Sequence, residues 1–170
     1  NAIHMFFNFY VNQPLFFALA TPHTRPLQAA LKQTKVLPPT AQWANFLRNH
    51  DELDIERLNP KQRAAVFARF GPDKRMQLYD RGIRRRLGSM LGDRRRVELA
   101  NSVMFSLPGT PVIRYGDEIG MGENLALKER DAVRTPMQWA NERNAGFSTA
   151  QRLVHPVIRE GPFGYRQVNV

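Results

Sequence analysis

The sequence predicts an α/β fold built on a parallel sheet, and two observations lead there. Short, mostly apolar runs of strand length recur at 4–9, 42–47 and 112–115. Between them lie segments with helical apolar spacing and helix-start residues. The order strand, helices, strand, helices, strand implies parallel strands joined by helical crossovers. A small doubly wound sheet and a piece of a (β/α)₈ barrel both satisfy that order, and periodicity does not choose between them.

Each element has a local reason. The run from His4 to Phe9 is expected of a strand buried on both faces. Pro14 is expected to open a helix through Leu15 to Ala20, because proline suits a first turn. Thr24 to Leu31 reads as a second helical piece, ended by Pro38-Pro39. Gln42 to Leu47 is the second strand, running straight into Arg48-Asn49-His50-Asp51-Glu52. Asn59 at a cap and Pro60 behind it start a helix that Gln62 to Phe70 supplies and Gly71-Pro72-Asp73 closes. Asp93 caps a helix from Arg94 to Leu107, with Val97, Ala100, Met104 and Leu107 on one buried face. Pro108-Gly109-Thr110-Pro111 then turns the chain into a third strand, Val112 to Tyr115, followed by Gly116-Asp117-Glu118. Beyond Gly122 the pattern weakens into a long loop. Asn1-Ala2 is given no structural meaning.

Composition narrows the classes. At 170 residues and 42% hydrophobic the chain has material for one folded domain. It has no cysteine, which excludes disulfides, thiolate metal sites and a cysteine nucleophile. His23 and His155 lack ligand spacing, so no metal site is expected. No apolar run reaches membrane-span length and no secretory leader is recognisable, so no membrane partner and a cytoplasmic setting are expected. The net charge of +10 raises the alternative of a basic nucleic-acid-binding domain. The arginines, however, cluster at 81–86 and 94–96 inside segments that also carry apolar residues, unlike a loose basic tail.

Ligands of parallel α/β folds bind at the C-terminal ends of strands. Two of the expected strands end in carboxylate pairs, Asp51-Glu52 and Asp117-Glu118. Glycosyl transfer needs carboxylates around an oxocarbenium-like transition state, and neighbouring Asn and His suit sugar hydroxyls. Helix capping or pairing with arginine is the more frequent use of such strand-end carboxylates.

Longer strings carry more. Phe46-Leu47-Arg48-Asn49-His50-Asp51 resembles the seventh-strand segment of the α-amylase superfamily of glycoside hydrolases. The stretch from Gly109 to Glu118 resembles its eighth strand. Arg134-Thr135-Pro136-Met137-Gln138-Trp139, with Asn144 to Ser148, resembles the family's segment after that strand. Tyr79 to Leu87, Asp93 to Leu99, Gly120-Met121-Gly122 and Gly164 to Val170 are similar to the trehalose synthase branch. Arg114 departs from the family pattern, in which many relatives carry an aromatic residue there.

The resemblance implies the C-terminal part of a TIM (β/α)₈ barrel, about strands six to eight, over 1–122. Residues 123–170 would then be a loop-rich segment after the eighth strand, in the same catalytic domain. It also implies an enzyme that transfers α-glucosyl units between maltose and trehalose by a retaining mechanism. An α-glucosidase or oligo-1,6-glucosidase hydrolase is the alternative within that family. Asp51 matches the catalytic carboxylate that stabilises the transition state. His50 and Arg134 match sugar-binding residues of the −1 subsite, and Glu52 and Arg48 would shape the neighbouring subsite. Asp117 and Glu118 would hold their loop. The nucleophile and the general acid would lie upstream, leaving the isolated chain inactive. No cofactor is expected in this chain, and calcium in a full-length enzyme would be held by other residues. The resemblance also assigns both arginine runs to barrel helices, which argues against nucleic acid. Partners expected are α-glucosides, the rest of the barrel, and copies of the chain itself through exposed sheet edges. Trp43, Trp139, Met76, Met90, Met104 and Met137 are expected to pack, and His4 to sit in the core or at a strand end.

Overall fold

Asn8 decides where the first strand stops. In the computed structural model, which describes residues 3–170, its Oδ1 accepts a hydrogen bond from the Val11 amide at 3.2 Å and caps a helix. Asn1 and Ala2 lie outside the described residues. Strand β1 is therefore confined to Met5–Phe7, and helix α1 runs Phe9–Ala20 with Pro14 inside it. The expectation that Pro14 opens the helix is corrected: the Asn8 cap starts it earlier, and the helix tolerates proline's missing N–H. Nor is β1 buried on both faces. Met5, Phe6 and Phe7 are 46%, 37% and 53% exposed, because among the described residues only one neighbouring strand pairs with it. His4 is exposed too, with its carbonyl accepting from the Gln42 amide at 2.9 Å where β1 begins.

Helix α2 spans Arg25–Gln33, with Thr24 at its cap and a proline in its first turn, and leads to β2, Gln42–Phe46. Strand β3 (Leu53–Asp54) follows, then helix α3 (Pro60–Phe70). Asn59 and Gln62 form a reciprocal capping box, each side chain accepting from the other's backbone amide, at 3.0 and 3.1 Å. Strands β4 (Gln77–Leu78) and β5 (Gly82–Ile83) precede helices α4 (Leu87–Leu91) and α5 (Arg94–Ser106), and the last strand is β6 (Thr110–Val112). After β6 the described chain forms turns and short 3₁₀ segments, at Glu129–Val133 and Arg143–Gly146.

The main sheet is parallel, in the order β1-β2-β6. Phe6 pairs with Trp43, and Asn45 with Pro111. Buried asparagines tie the strands together: Asn8 Nδ2 donates to Asn45 Oδ1 at 2.9 Å, and Asn45 Nδ2 to the Pro108 carbonyl at 2.9 Å. The third strand lies earlier than the apolar run at 112–115 suggests. Pairing with Ala44–Phe46 begins at Thr110, while Arg114 leaves the strand to hydrogen-bond loops. Gly109 makes that register possible, because a Cβ there would stand 2.3 Å from the Trp43 carbonyl oxygen.

A second, antiparallel sheet has the order β3-β5-β4 and is not legible in the sequence pattern. It corrects the assignment of both arginine runs to helices. Arg94-Arg95-Arg96 do open α5, but the run from Arg81 to Arg86 starts at a turn, passes through β5 and continues without regular structure to α4. The apolar core forms between α1, α3, α4, α5 and this small sheet, around Phe16, Phe70, Ile83, Leu87 and Met104. Phe16 meets Phe70 edge-on at 6.1 Å. Met90, Met104 and Met137 are buried, and Trp43 Nε1 donates to the Thr34 carbonyl at 2.8 Å. Trp139 is exposed, contrary to its expected packing role. No described helix is long and apolar enough to cross a membrane.

Candidate functional site

The C-terminal end of β2 is held from below by α1. Asn12 Nδ2 donates to the carbonyls of Phe46 at 2.7 Å and Leu47 at 3.0 Å, fixing the point where the strand becomes a loop. Arg48 comes next and turns inward. It is 2% exposed, with Nε donating to the Arg85 carbonyl at 2.9 Å and Nη2 to the Asp51 carbonyl at 2.8 Å. Burial pushes its pKa down to about 10, a drop that Asp117 opposes, so the group stays charged at neutral pH. Its partners are backbone carbonyls; in this chain it shapes the loop from behind.

Asn49 shapes the loop from within. Its Oδ1 accepts from the Asp51 amide at 3.0 Å, and its carbonyl accepts from Arg114 Nη1 at 2.8 Å. Arg114, the residue that departs from the family pattern, is itself buried and also donates to the Val133 carbonyl. It thereby joins the loop after β2 to the segment that carries Arg134.

Asp51 and Arg134 meet there. Arg134 Nη2 donates to Asp51 Oδ1 at 2.8 Å, and Arg134 Nε donates to the His50 carbonyl at 2.9 Å. His50 Nε2 lies 3.7 Å from the same Oδ1 on a side chain 72% exposed, open to a ligand. Glu52 points the other way and is nearly closed off, at 4% side-chain exposure. Arg130 grips it with both arms of the guanidinium fork, Nε to Oε2 at 2.6 Å and Nη2 to Oε1 at 3.1 Å. Burial works against the Glu52 charge, but the Arg130 hydrogen bonds and those from the backbone outweigh it and leave the carboxyl below its usual range. Gly82 lets β5 pass this stem, since a Cβ there would fall 2.4 Å from Glu52 Cγ.

The structure thus gathers His50, Asp51, Glu52 and Arg134 around one loop, with Arg48 beneath them. Sequence reasoning missed Arg130, which comes from the 3₁₀ turn Glu129–Val133 and lies 5.7 Å over the Tyr79 ring. Nothing periodic marks such a turn. The second carboxylate pair divides: Asp117 is buried against Arg86, and Glu118 is exposed. Glu118 and Arg134 both line an apolar groove of about 680 Å³ with Trp139 and Phe147. Among the described residues no group of three or more His, Asp or Glu could hold a metal ion. A carboxylate, an imidazole and a guanidinium at a strand end can together hydrogen-bond a polyol and stabilise positive charge beside it.

Comparison with known proteins decides the family. Residues 79–170 match the α-amylase catalytic domain. The chain belongs to the α-amylase family. Its similarity extends beyond that segment, since the trehalose synthase of Thermus thermophilus is 44% identical over 173 residues, covering 100% of this chain and 18% of that protein. The trehalose synthase/amylase TreS of Mycolicibacterium smegmatis is 46% identical over 170 residues, 98% of this chain and 28% of its own length. The trehalose synthase of Pimelobacter sp. is 44% identical over 98% of this chain and 30% of its own length. This α-amylase-family chain therefore spans between 18% and 30% of the length of these relatives.

Proposed function

We propose that this chain forms about strands six to eight of a (β/α)₈ barrel in a retaining enzyme that interconverts maltose and trehalose. The observation that carries the reading is Asp51 at the C-terminal end of a parallel strand, 2.8 Å from Arg134 and beside an exposed His50. Barrel enzymes place their chemistry at that end. The similarity to trehalose synthases over nearly the whole chain supports the same substrate pair.

In this reading β1, β2 and β6 are the sixth, seventh and eighth barrel strands. Asp51 stabilises the cationic glucosyl transition state, and its charge contributes most as the anomeric carbon becomes positive. His50 hydrogen-bonds a glucose hydroxyl, and Arg134 orients Asp51 while bordering the same sugar. Glu52 and Arg48 shape the neighbouring subsite through the loop they hold. A covalent glucosyl intermediate requires a nucleophile, and departure of the leaving oxygen requires an acid. Both would come from other parts of a longer protein, so the isolated chain has no catalytic activity.

Incubating the full-length protein with maltose tests this reading. Trehalose should accumulate, and Asp51→Ala should lower the rate by about 10²–10³-fold. Glucose as sole product would assign the protein to hydrolysis, and an unaffected Asp51→Ala variant would refute the role given to Asp51.

A further inference from the structure

Two adjacent carboxylates, Asp51 and Glu52, share two guanidiniums, and the sharing is unequal. Arg130 occupies both oxygens of Glu52 and approaches Asp51 Oδ1 at 3.5 Å. Arg134 binds the same Asp51 Oδ1 at 2.8 Å, and His50 Nε2 lies 3.7 Å from it. Asp51 Oδ2 has no hydrogen-bond partner among the described residues. Glu52 is spent inside the protein, whereas Asp51 keeps one oxygen for a ligand.

We propose that Arg130 is a positioning residue that makes this division: by clamping Glu52 it leaves Arg134 to Asp51 and Asp51 Oδ2 to the sugar. The inference rests on the function proposed above and adds a residue to it. Without Arg130, a nearly enclosed negative Glu52 loses the guanidinium that fills both its oxygens, and the neighbouring guanidiniums, Arg134 on the adjacent Asp51 and Arg81 in the hairpin, are drawn toward it. A buried carboxylate without its partner is costly, which supplies the force for that shift.

The clamp is itself held in place. Arg130 lies over the Tyr79 ring at 5.7 Å, and Tyr79 and Asp80 form the tip between β4 and β5 with φ of 55° and 53°. The charged and titratable groups around the clamp and its Glu52 are Asp51 and His50 from the loop after β2, Tyr79 and Arg81 from the hairpin, and Glu129, Asp131 and Arg134 from the segment that carries Arg130. Arg48 underlies the loop and reaches these groups through the Asp51 carbonyl.

The test uses the full-length protein with maltose as substrate, comparing Arg130→Gln, Arg130→Lys and the double variant Arg130→Gln/Glu52→Gln. Arg130→Gln should lower kcat about tenfold or more while changing KM less, since the lost contact matters most in the transition state. Its acid limb should move to higher pH as Glu52 takes up a proton more readily. The double variant, with no unpaired charge, should recover most of kcat and the acid limb. Arg130→Lys, which keeps the charge but not the fork, should fall between. Wild-type kinetics in Arg130→Gln, or a double variant no better than the single one, would overturn the proposal. A readout independent of catalysis is carbon-detected titration of the Glu52 carboxyl, assigned by its loss in Glu52→Gln. That titration should move to higher pH in Arg130→Gln, or in Arg130→Lys if the first variant does not fold, and an unmoved titration overturns the clamp. Wild-type protein inert on maltose would instead sink the functional reading, while the titration still decides the clamp.

Discussion

Arg86 and Asp117 form an ion pair closed off from solvent, with Nη2 3.0 Å from Oδ1 and side-chain exposures of 0% and 6%. Arg86 also donates to the Tyr115 carbonyl, so one guanidinium ties the chain before α4 to the turn after β6. Burial raises the Asp117 pKa above the usual carboxylate range, and Arg86, with Arg48 and Arg114 behind it, opposes that rise.

Removing one partner leaves the other charged and enclosed. Arg86→Met should therefore destabilise the protein by about 3–5 kcal/mol. The double variant Arg86→Met/Asp117→Leu should lose less, because no charge is stranded. Urea midpoints of the two variants, compared with wild type, check this order.

Gly109, just before β6, packs closely against the backbone of β2. Its φ is +119°, and a Cβ would meet the Trp43 carbonyl oxygen at 2.3 Å. Gly109→Ala should cost about 1–3 kcal/mol from backbone strain alone. It should also speed amide exchange in β6, the strand whose register depends on that approach. Gly92→Ala serves as a comparison, because its φ of +67° carries strain with nothing within 4 Å of the added atom.

Acid should weaken the fold partly through Glu52. Its folded-state pKa lies below the ordinary glutamate value, so its contribution is fully present above that ordinary value. The contribution is lost as pH falls from the unfolded pKa through the folded one, because the unfolded chain binds the proton first. Glu52→Gln should be less stable than wild type near neutral pH, and the difference should shrink as pH drops below about 4. Thermal melts at several pH values would show it; a difference constant with pH would contradict it.

The outer edges of β1 and β6 have no strand partner among the described residues, and Phe6 and Phe7 are exposed beside one of them. Unpaired edges next to apolar side chains invite pairing. The isolated chain should self-associate, with a weight-average mass by sedimentation that rises with concentration. Phe6→Lys should reduce that rise by placing a charge on the edge. A concentration-independent monomer would refute the expectation.

Much of the fold is readable from local chemistry. Asn59 and Pro60 announce α3, and Asp93 announces α5, because caps and first-turn residues act within a few positions of themselves. The parallel order of the main sheet also follows from alternation along the chain. The two-residue strands β3, β4 and β5 do not show in the pattern, since segments so short carry no period. Pro14 misleads because a side-chain cap at Asn8 competes with proline as a start signal, and the cap prevails. In the site, His50, Asp51 and Glu52 are neighbours in one string, and Arg134 stands out through its own string.

By itself the sequence determined which residue types follow the strands of the main sheet and where α3 and α5 begin. Tertiary structure alone decided how the carboxylates are used. Asp51 and Glu52 are adjacent and chemically alike, yet one is clamped by Arg130 and the other retains an open oxygen. The physical reason is distance along the chain. A cap or a turn is settled by neighbours, whereas an ion pair between residues separated by 78 positions exists only once the intervening chain has folded to bring them together.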